Sequence, residues 1–173
     1  MRYLAPYRNP NRAVGSLLGS LLLLISIGLG AAPPDGYRFL SYGDALIRAG
    51  EQDKPVFLYF GRYGCSVCLK MHQEVFTDEQ VKSRFNSHYV LAYVDTEGGE
   101  RVTLPNGERI TEMQLASRTR ILGTPTFFFI APDQRPLIKL SGFQSIENMV
   151  HYDDYISGRH YQTQSLREFL AKQ

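Results

Sequence analysis

The chain carries two cysteines, Cys65 and Cys68, and no others among its 173 residues. Thiols at this spacing can close a small disulfide ring with each other and exchange that bond with other thiols. A strand-like apolar run precedes the pair and a helix-like run follows it. Cys65 would then lie at a helix start, where the helix dipole favours the attacking thiolate form. The sequence therefore predicts a dithiol/disulfide exchanger in which Cys65 attacks and Cys68 resolves.

Two other functions remain open for the same residues. His72 follows Cys68 by four positions and Cys65 by seven, which places all three on one face of a helix. Such a set suits Cu(I) or Zn(II), so one alternative is a copper- or other metal-handling carrier. One helix seldom completes a metal site, and the other three histidines show no metal spacing, so no bound metal is predicted. The other alternative is a non-catalytic binding module with an inert disulfide, although so short a link restrains the unfolded chain little.

The first residues predict export. Arg2, Arg8 and Arg12 precede an apolar run over residues 13–29 that ends in small residues, the pattern of an export signal. The run is long for a signal core and short for a membrane span. Residues 1–32 are therefore either a cleaved signal peptide or a retained membrane anchor. In both cases the arginines stay in the cytoplasm and the rest of the chain lies outside it.

Charge and composition exclude one class of partner. The chain has 19 basic and 17 acidic residues; three of the basic ones lie before residue 33, and all of the acidic ones lie after it. The exported part therefore has no surplus of positive charge with which to attract nucleic acid. An apolar share of 43% and an aromatic share of 12% are ordinary for a globular domain.

The pattern of apolar residues outlines one domain over residues 41–173, after a linker at residues 33–40 that contains two prolines and a glycine. Gly50 is expected to end its first helix, and a Pro-Asn-Gly turn at residues 105–107 predicts a hairpin inserted near residues 98–111. The first two strands are joined through helices, which implies parallel pairing, whereas the short link between the last two implies antiparallel pairing. Helices are predicted at residues 41–49, 65–76, 78–85, 112–118, 146–156 and 165–172, and strands at 55–60, 89–95, 124–130 and 137–141.

These elements and motifs resemble the thioredoxin superfamily. The shared features are a strand, a Cys-X-X-Cys at a helix start, a second strand, and the run Gly123-Thr124-Pro125-Thr126-Phe127 that opens a third strand. The resemblance covers residues 41–172 and implies an α/β, thioredoxin-like fold with a central mixed sheet of four to five strands flanked by helices. It also implies a cis peptide bond before Pro125, beside the disulfide, and binding of an extended substrate segment at Thr124 and Pro125.

The run from Cys65 to Asp78, which includes Met71 and His72, is similar to an exported thioredoxin-related branch that contains the SoxW-type proteins of sulfur-oxidising bacteria. The similarity implies a periplasmic thiol:disulfide oxidoreductase that needs no cofactor, acts on protein disulfides and works more as a reductant than as an oxidant. A membrane thiol-disulfide electron carrier would keep it reduced. The N-terminal segment would tether it to the inner membrane if that segment is retained.

The chain departs from many thioredoxins near the cysteines. Gly64 occupies the position of their tryptophan, and Ser66 and Val67 replace their Gly-Pro pair. Tyr59 and Leu91 fall, by spacing, where those proteins have a buried acid and its lysine partner. The acid that usually serves proton transfer at the second cysteine is therefore missing from this chain.

Overall fold

The computed structural model describes Met1 and residues 32–173. The export signal lies almost wholly in residues 2–31, outside the described residues, and stays a prediction. The strands are β1 (Phe39–Leu40), β2 (Val56–Gly61), β3 (Val90–Asp95), β4 (Arg101–Thr103), β5 (Arg109–Thr111), β6 (Thr126–Ile130) and β7 (Pro136–Ser141). The helices are α1 (Tyr42–Gln52), α2 (Ser66–Glu74), α3 (Glu79–His88), α4 (Glu112–Arg118), α5 (Ile146–Ser157) and α6 (Leu166–Leu170), with a 3-10 turn at His160–Gln162. None of the helices in this described part is both long and apolar enough to cross a membrane.

Five strands form one mixed sheet in the order β1-β3-β2-β6-β7. β1 and β2 both run parallel to β3, and α2 and α3 lie in the crossover from β2 to β3. β6 is antiparallel to β2, and β7 is antiparallel to β6. β4 and β5 pair separately as the inserted hairpin. The predicted α/β class, the mixed sheet and the pairing directions are confirmed.

The core has two layers, one on each face of the sheet. Side chains of β2 enter them in turn, because neighbouring side chains of a strand point to opposite faces. Phe57 and Tyr59 belong to a layer of mostly aromatic rings, which is covered by α2, α3, α5 and α6. Phe57 stacks on Phe127 with ring centroids 5.5 Å apart and meets Phe85 edge-on at 4.8 Å, both favourable geometries for aromatic pairs. This aromatic layer lies under α2 and therefore supports the cysteine pair.

The opposite layer contains smaller side chains and holds the insertion. Leu58 and Phe60 of β2 pack there with α1, α4 and the hairpin. Val102 of β4 and Ile110 of β5 are buried in this layer, each 3% exposed. The hairpin therefore packs on the side of the sheet away from α2 and does not cover the cysteines.

The first helix runs past its predicted end. α1 continues through Gly50, and the chain leaves it only at Asp53, which has a left-handed conformation with φ 50°. Glu51 and Gln52 follow the glycine and are good helix formers, so one glycine is not enough to end the helix.

A short strand ends the predicted linker. Phe39 and Leu40 pair with Leu91 and Ala92 as β1, at the edge of the sheet. The hydroxyl of Tyr37 also donates a hydrogen bond of 3.0 Å to the backbone carbonyl of Phe76, two residues after α2. A strand of two residues is too short to show an alternating pattern, which is why the sequence gives no sign of it.

A buried carboxylate joins α3 to α5. Asp153 is fully buried, and Arg84 and His88 of α3 each contact it at 2.9 Å. Arg84 also contacts Asp154 at 2.6 Å, but the side chain of Asp154 is 42% exposed. Arg84 therefore has two acidic partners, of which Asp153 is buried and Asp154 is partly exposed to solvent.

We expect Asp153→Ala to lower the free energy of unfolding by about 3 kcal/mol, because it removes the buried partner of Arg84 and His88. Asp154→Ala should cost less than about 1 kcal/mol, because water screens an exposed ion pair. Urea unfolding followed by circular dichroism measures both values. Equal losses in the two variants would contradict the role given to burial.

Candidate active site at the cysteine pair

The turn between β2 and α2 places the first cysteine at a helix start. β2 ends at Gly61, and Gly64 has φ 68°, a left-handed conformation that glycine adopts without steric cost. Cys65 is the N-cap residue of α2, and its Sγ accepts a hydrogen bond of 3.1 Å from the backbone N–H of Cys68. The turn therefore holds Cys65 where free N–H groups of the helix stabilise negative charge.

Cys65 and Cys68 form a disulfide, and their Cα atoms lie 5.2 Å apart. The two residues differ in access to solvent. Cys65 is partly exposed, whereas Cys68 is 5% exposed and belongs to the aromatic layer. A partner protein can therefore reach Cys65 and not Cys68, as the predicted attacking and resolving roles require.

The loop before β6 lies against the disulfide. The Thr124–Pro125 peptide bond is cis, as the resemblance implies, and the carbonyl oxygen of Thr124 lies 3.3 Å from Cys65 Sγ. Pro125 is buried, and its carbonyl oxygen accepts a hydrogen bond of 2.8 Å from the N–H of Gly142, just after β7. The fold thus places the loop with Thr124 and Pro125 beside the cysteine pair, although the two motifs are far apart in sequence.

A cavity of about 470 Å³ opens beside the disulfide. Tyr59 of β2, His72 of α2 and Tyr93 of β3 line it together with both cysteines. Ala32, which follows the N-terminal apolar run, also contributes to its wall. A cavity of this size accommodates a side chain or several water molecules.

Tyr59 and His72 are hydrogen-bonded in the wall of this cavity. The Tyr59 hydroxyl lies 3.0 Å from Nε2 of His72, and the two rings meet edge-on. Burial raises the pKa of the Tyr59 hydroxyl, which therefore keeps its proton at neutral pH. Burial lowers the pKa of His72 below its ordinary value of 6.5, and the carboxylate of Asp35 offsets part of that shift. Both groups are therefore uncharged at neutral pH.

His72 contacts Tyr59, and the residues that the structure describes form no metal site around it. Within Met1 and residues 32–173, no group of three or more His, Cys, Asp or Glu side chains is arranged to hold a metal ion. A Cys2His site would also need two thiolates, whereas the sulfurs of Cys65 and Cys68 are joined as a disulfide. The metal-handling alternative would therefore require reduction of the pair and movement of His72.

Several large apolar side chains near the two motifs face solvent. Tyr63, Val67 and Leu69 each lie within two residues of a cysteine and are 59%, 38% and 55% exposed. Leu122, just before the loop that touches the disulfide, is 98% exposed. Exposed apolar residues that gather at one place mark a surface for partner proteins. The chain therefore exposes apolar side chains in the two segments that carry the cysteines and the Thr124 loop.

Sequence reasoning identified Tyr59 and His72 separately, missed their contact, and missed Tyr93. Tyr59 and Tyr93 are partners in the parallel pairing of β2 and β3, and their ring centroids lie 5.2 Å apart. Paired residues of neighbouring strands point to the same face, so the pairing alone could have placed Tyr93 here. The contact with His72 also depends on how α2 is rotated over the sheet, which no local pattern specifies.

Comparisons with known proteins agree with this architecture. Residues 42–157 match the profile of a family described as thioredoxin-like domain. A thioredoxin-fold protein from Helicobacter pylori is similar in structure, with a TM-score of 0.60 and 22% identity over 70% of this chain and 80% of that one. A thioredoxin from Thermus thermophilus has a TM-score of 0.57 and 26% identity over 70% of this chain and 87% of that one.

One curated relative is much longer than this chain. An uncharacterized protein of Caenorhabditis elegans is 28% identical over 119 residues. The alignment covers 62% of this chain and 16% of that protein. The similarity therefore concerns one segment of the longer protein.

In the reduced protein, we expect a limiting amount of iodoacetamide to modify Cys65 at least about tenfold faster than Cys68 near neutral pH. The reason is that Cys65 is accessible and lies at a helix start, whereas Cys68 is buried. Peptide mass mapping after a short exposure measures the ratio. In the control variant Cys65→Ser, Cys68 should stay slow to react although its competitor is gone, and equal labelling of the two thiols would contradict the assigned roles.

Proposed function

We propose that this chain, which belongs to the thioredoxin-like domain family, is a thiol:disulfide oxidoreductase that exchanges the Cys65/Cys68 dithiol with disulfides of other proteins. The setting of Cys65 carries the proposal. Cys65 is partly exposed at the start of α2 and is bonded to the buried Cys68, and its Sγ lies 3.3 Å from the carbonyl oxygen of Thr124. A disulfide that only stabilises the fold would need neither this exposure nor a position that stabilises a thiolate.

The exchange takes place in two steps. The Cys65 thiolate attacks one sulfur of a substrate disulfide; a Cys65–substrate bond forms, and the other substrate sulfur leaves as a thiolate. Cys68 then attacks Cys65 Sγ, which closes the Cys65–Cys68 disulfide and releases the second substrate thiolate. Two electrons move to the substrate, and each released thiolate takes up a proton.

The loop at Thr124 could position the substrate. An extended segment lying along the backbone of Thr124 and Pro125 would hold its disulfide next to Cys65 Sγ. Tyr63, two residues before Cys65, and Leu122, two residues before Thr124, are exposed and available for apolar contacts with such a segment. Backbone pairing of this kind depends little on the substrate's side chains, so it suits a protein with several partners.

We further propose that the reaction takes place in the periplasm and that the chain reduces the disulfides of its substrates. Export is supported by the arginines and the apolar run at the N-terminus. The periplasmic and reducing role is supported by the resemblance to the SoxW-type branch. Because the periplasm favours disulfides, a reductant there needs a continuous supply of electrons. A membrane thiol-disulfide electron carrier is the donor that we propose.

In cells, the variant Cys68→Ser should accumulate covalent adducts with its substrates, because Cys65 still attacks and no second thiol resolves the intermediate. Non-reducing electrophoresis of the periplasmic fraction detects the adducts, and mass spectrometry after reduction identifies the partners. The matched control, Cys65→Ser, keeps one cysteine but should capture nothing. In the unmodified chain, thiol trapping should find the pair mostly reduced at steady state, and a mostly oxidised pair would reverse the proposed direction.

The same variants separate this function from the metal-handling alternative. If Cys68→Ser captures no protein, while the reduced chain binds Cu(I) tightly and His72→Ala weakens that binding, the carrier function replaces the exchange reaction. If Cys65→Ser leaves the cellular function intact, the chain is a non-catalytic binding module.

A further inference from the structure

The second step of the proposed reaction, on which this inference rests, requires a base near Cys68. Cys68 is 5% exposed, and its thiol must lose a proton before the sulfur can attack Cys65. Cys68 otherwise belongs to the aromatic layer, so its thiol can give up the proton only into the cavity that it lines. Position 59, where many thioredoxins have a buried acid, is a tyrosine in this chain. The acceptor is therefore either water in the cavity or another side chain that lines it.

His72 is the titratable group best placed to do so. It follows Cys68 by four residues in α2, one turn further along the same face of the helix. Both residues line the cavity of about 470 Å³ beside the disulfide. The hydrogen bond of 3.0 Å between the Tyr59 hydroxyl and Nε2, together with the rings of Tyr59 and Phe76, fixes the imidazole in place.

We propose that His72 is the proton acceptor for Cys68 and that Tyr59 is a positioning residue that holds the imidazole in the cavity. In this step Nε2–H of the neutral imidazole donates to the Tyr59 hydroxyl oxygen, which leaves Nδ1 as the acceptor. As the Cys68 sulfur bonds to Cys65 and the substrate sulfur leaves, the thiol proton of Cys68 passes across the cavity to Nδ1. The imidazolium then gives the proton to the released substrate thiolate. No charge is left in the cavity, and His72 is ready for the next cycle.

The surroundings of His72 set the pH range in which it can act. The titratable and charged groups near it are Tyr59 from β2, Tyr93 from β3, Arg62 and Tyr63 from the turn before α2, and Asp35 from the segment before β1. Burial lowers the pKa of His72 more than Asp35 raises it. The imidazole is therefore neutral and able to accept a proton at neutral pH. It loses this ability as the pH falls through its lowered pKa, since it is then already protonated.

Stopped-flow mixing of the reduced full chain with dithiobis(nitrobenzoate) tests the proposal. The first coloured thiolate is released when Cys65 attacks, and the second when Cys68 resolves the mixed disulfide. The two steps are thus measured in one trace. The variant to compare is His72→Gln, which can still hydrogen-bond to Tyr59 but cannot take up a proton in this pH range. His151→Gln, a partly buried histidine of α5 that does not line the cavity, is the matched control.

We expect His72→Gln to slow the second release by about 100-fold near neutral pH and to leave the first release unchanged. The pH profile should change as well. In the unmodified chain the second rate should be nearly flat over the neutral range and should fall in mild acid. In His72→Gln it should rise about tenfold per pH unit, because only the thiolate fraction of Cys68 then reacts. Tyr59→Phe should slow the second release by roughly tenfold and keep the flat profile, because His72 is still present but less well placed.

The outcomes separate this inference from the proposed function. A second release in His72→Gln that matches the unmodified chain in rate and in pH profile would overturn the inference and leave the exchange reaction intact. A first release no faster than that of an ordinary peptide thiol would overturn the exchange reaction itself. An unchanged first release in His72→Gln also shows that the variant is folded, so a slow second release cannot come from unfolding.

Discussion

The packing of α2 against the aromatic layer is the contact on which the candidate site depends. Met71 is fully buried under the helix, and its Sδ accepts a hydrogen bond of 3.3 Å from the backbone N–H of Gln144, just before α5. Once this side of the helix is fixed, Cys68 must point inward, and Cys65 at the N-cap must lie at the surface. One helical turn thus gives two identical side chains different environments, and this difference allows them different chemical roles.

The sequence predicted what depends on short stretches of chain and on one family resemblance. The strand β2, the cysteine pair and the start of α2 adjoin each other, so a local pattern was sufficient to predict them. The approach of Thr124 to Cys65 joins distant parts of the chain and was expected only through the resemblance. The contact between Tyr59 and His72 could not be predicted, because it requires both the alternation of β2 and the rotation of α2 over the sheet.

The same contact explains how the fold accommodates a polar pair under the active helix. A buried carboxylate at position 59 would have to be desolvated, which is costly unless a cation or several donors surround it. The Tyr59 hydroxyl and the neutral imidazole of His72 satisfy each other without a net charge. Tyr59 also packs against Phe127 and Tyr93, with ring centroids 5.0 and 5.2 Å apart. Tyr59 therefore packs in the aromatic core with its ring and holds His72 in the cavity wall with its hydroxyl.

The position of Ala32 bears on how a membrane tether would affect the disulfide exchange. Ala32, the first residue of the described segment 32–173, contributes to the wall of the cavity beside the sulfur pair. An uncleaved anchor would keep the pair close to the bilayer surface, at a high effective concentration relative to an electron donor embedded in the same membrane. A processed chain would instead meet that donor only by diffusion. In the proposed function, cleavage of the N-terminal segment would therefore change electron supply from a reaction between two membrane-held partners into a bimolecular one.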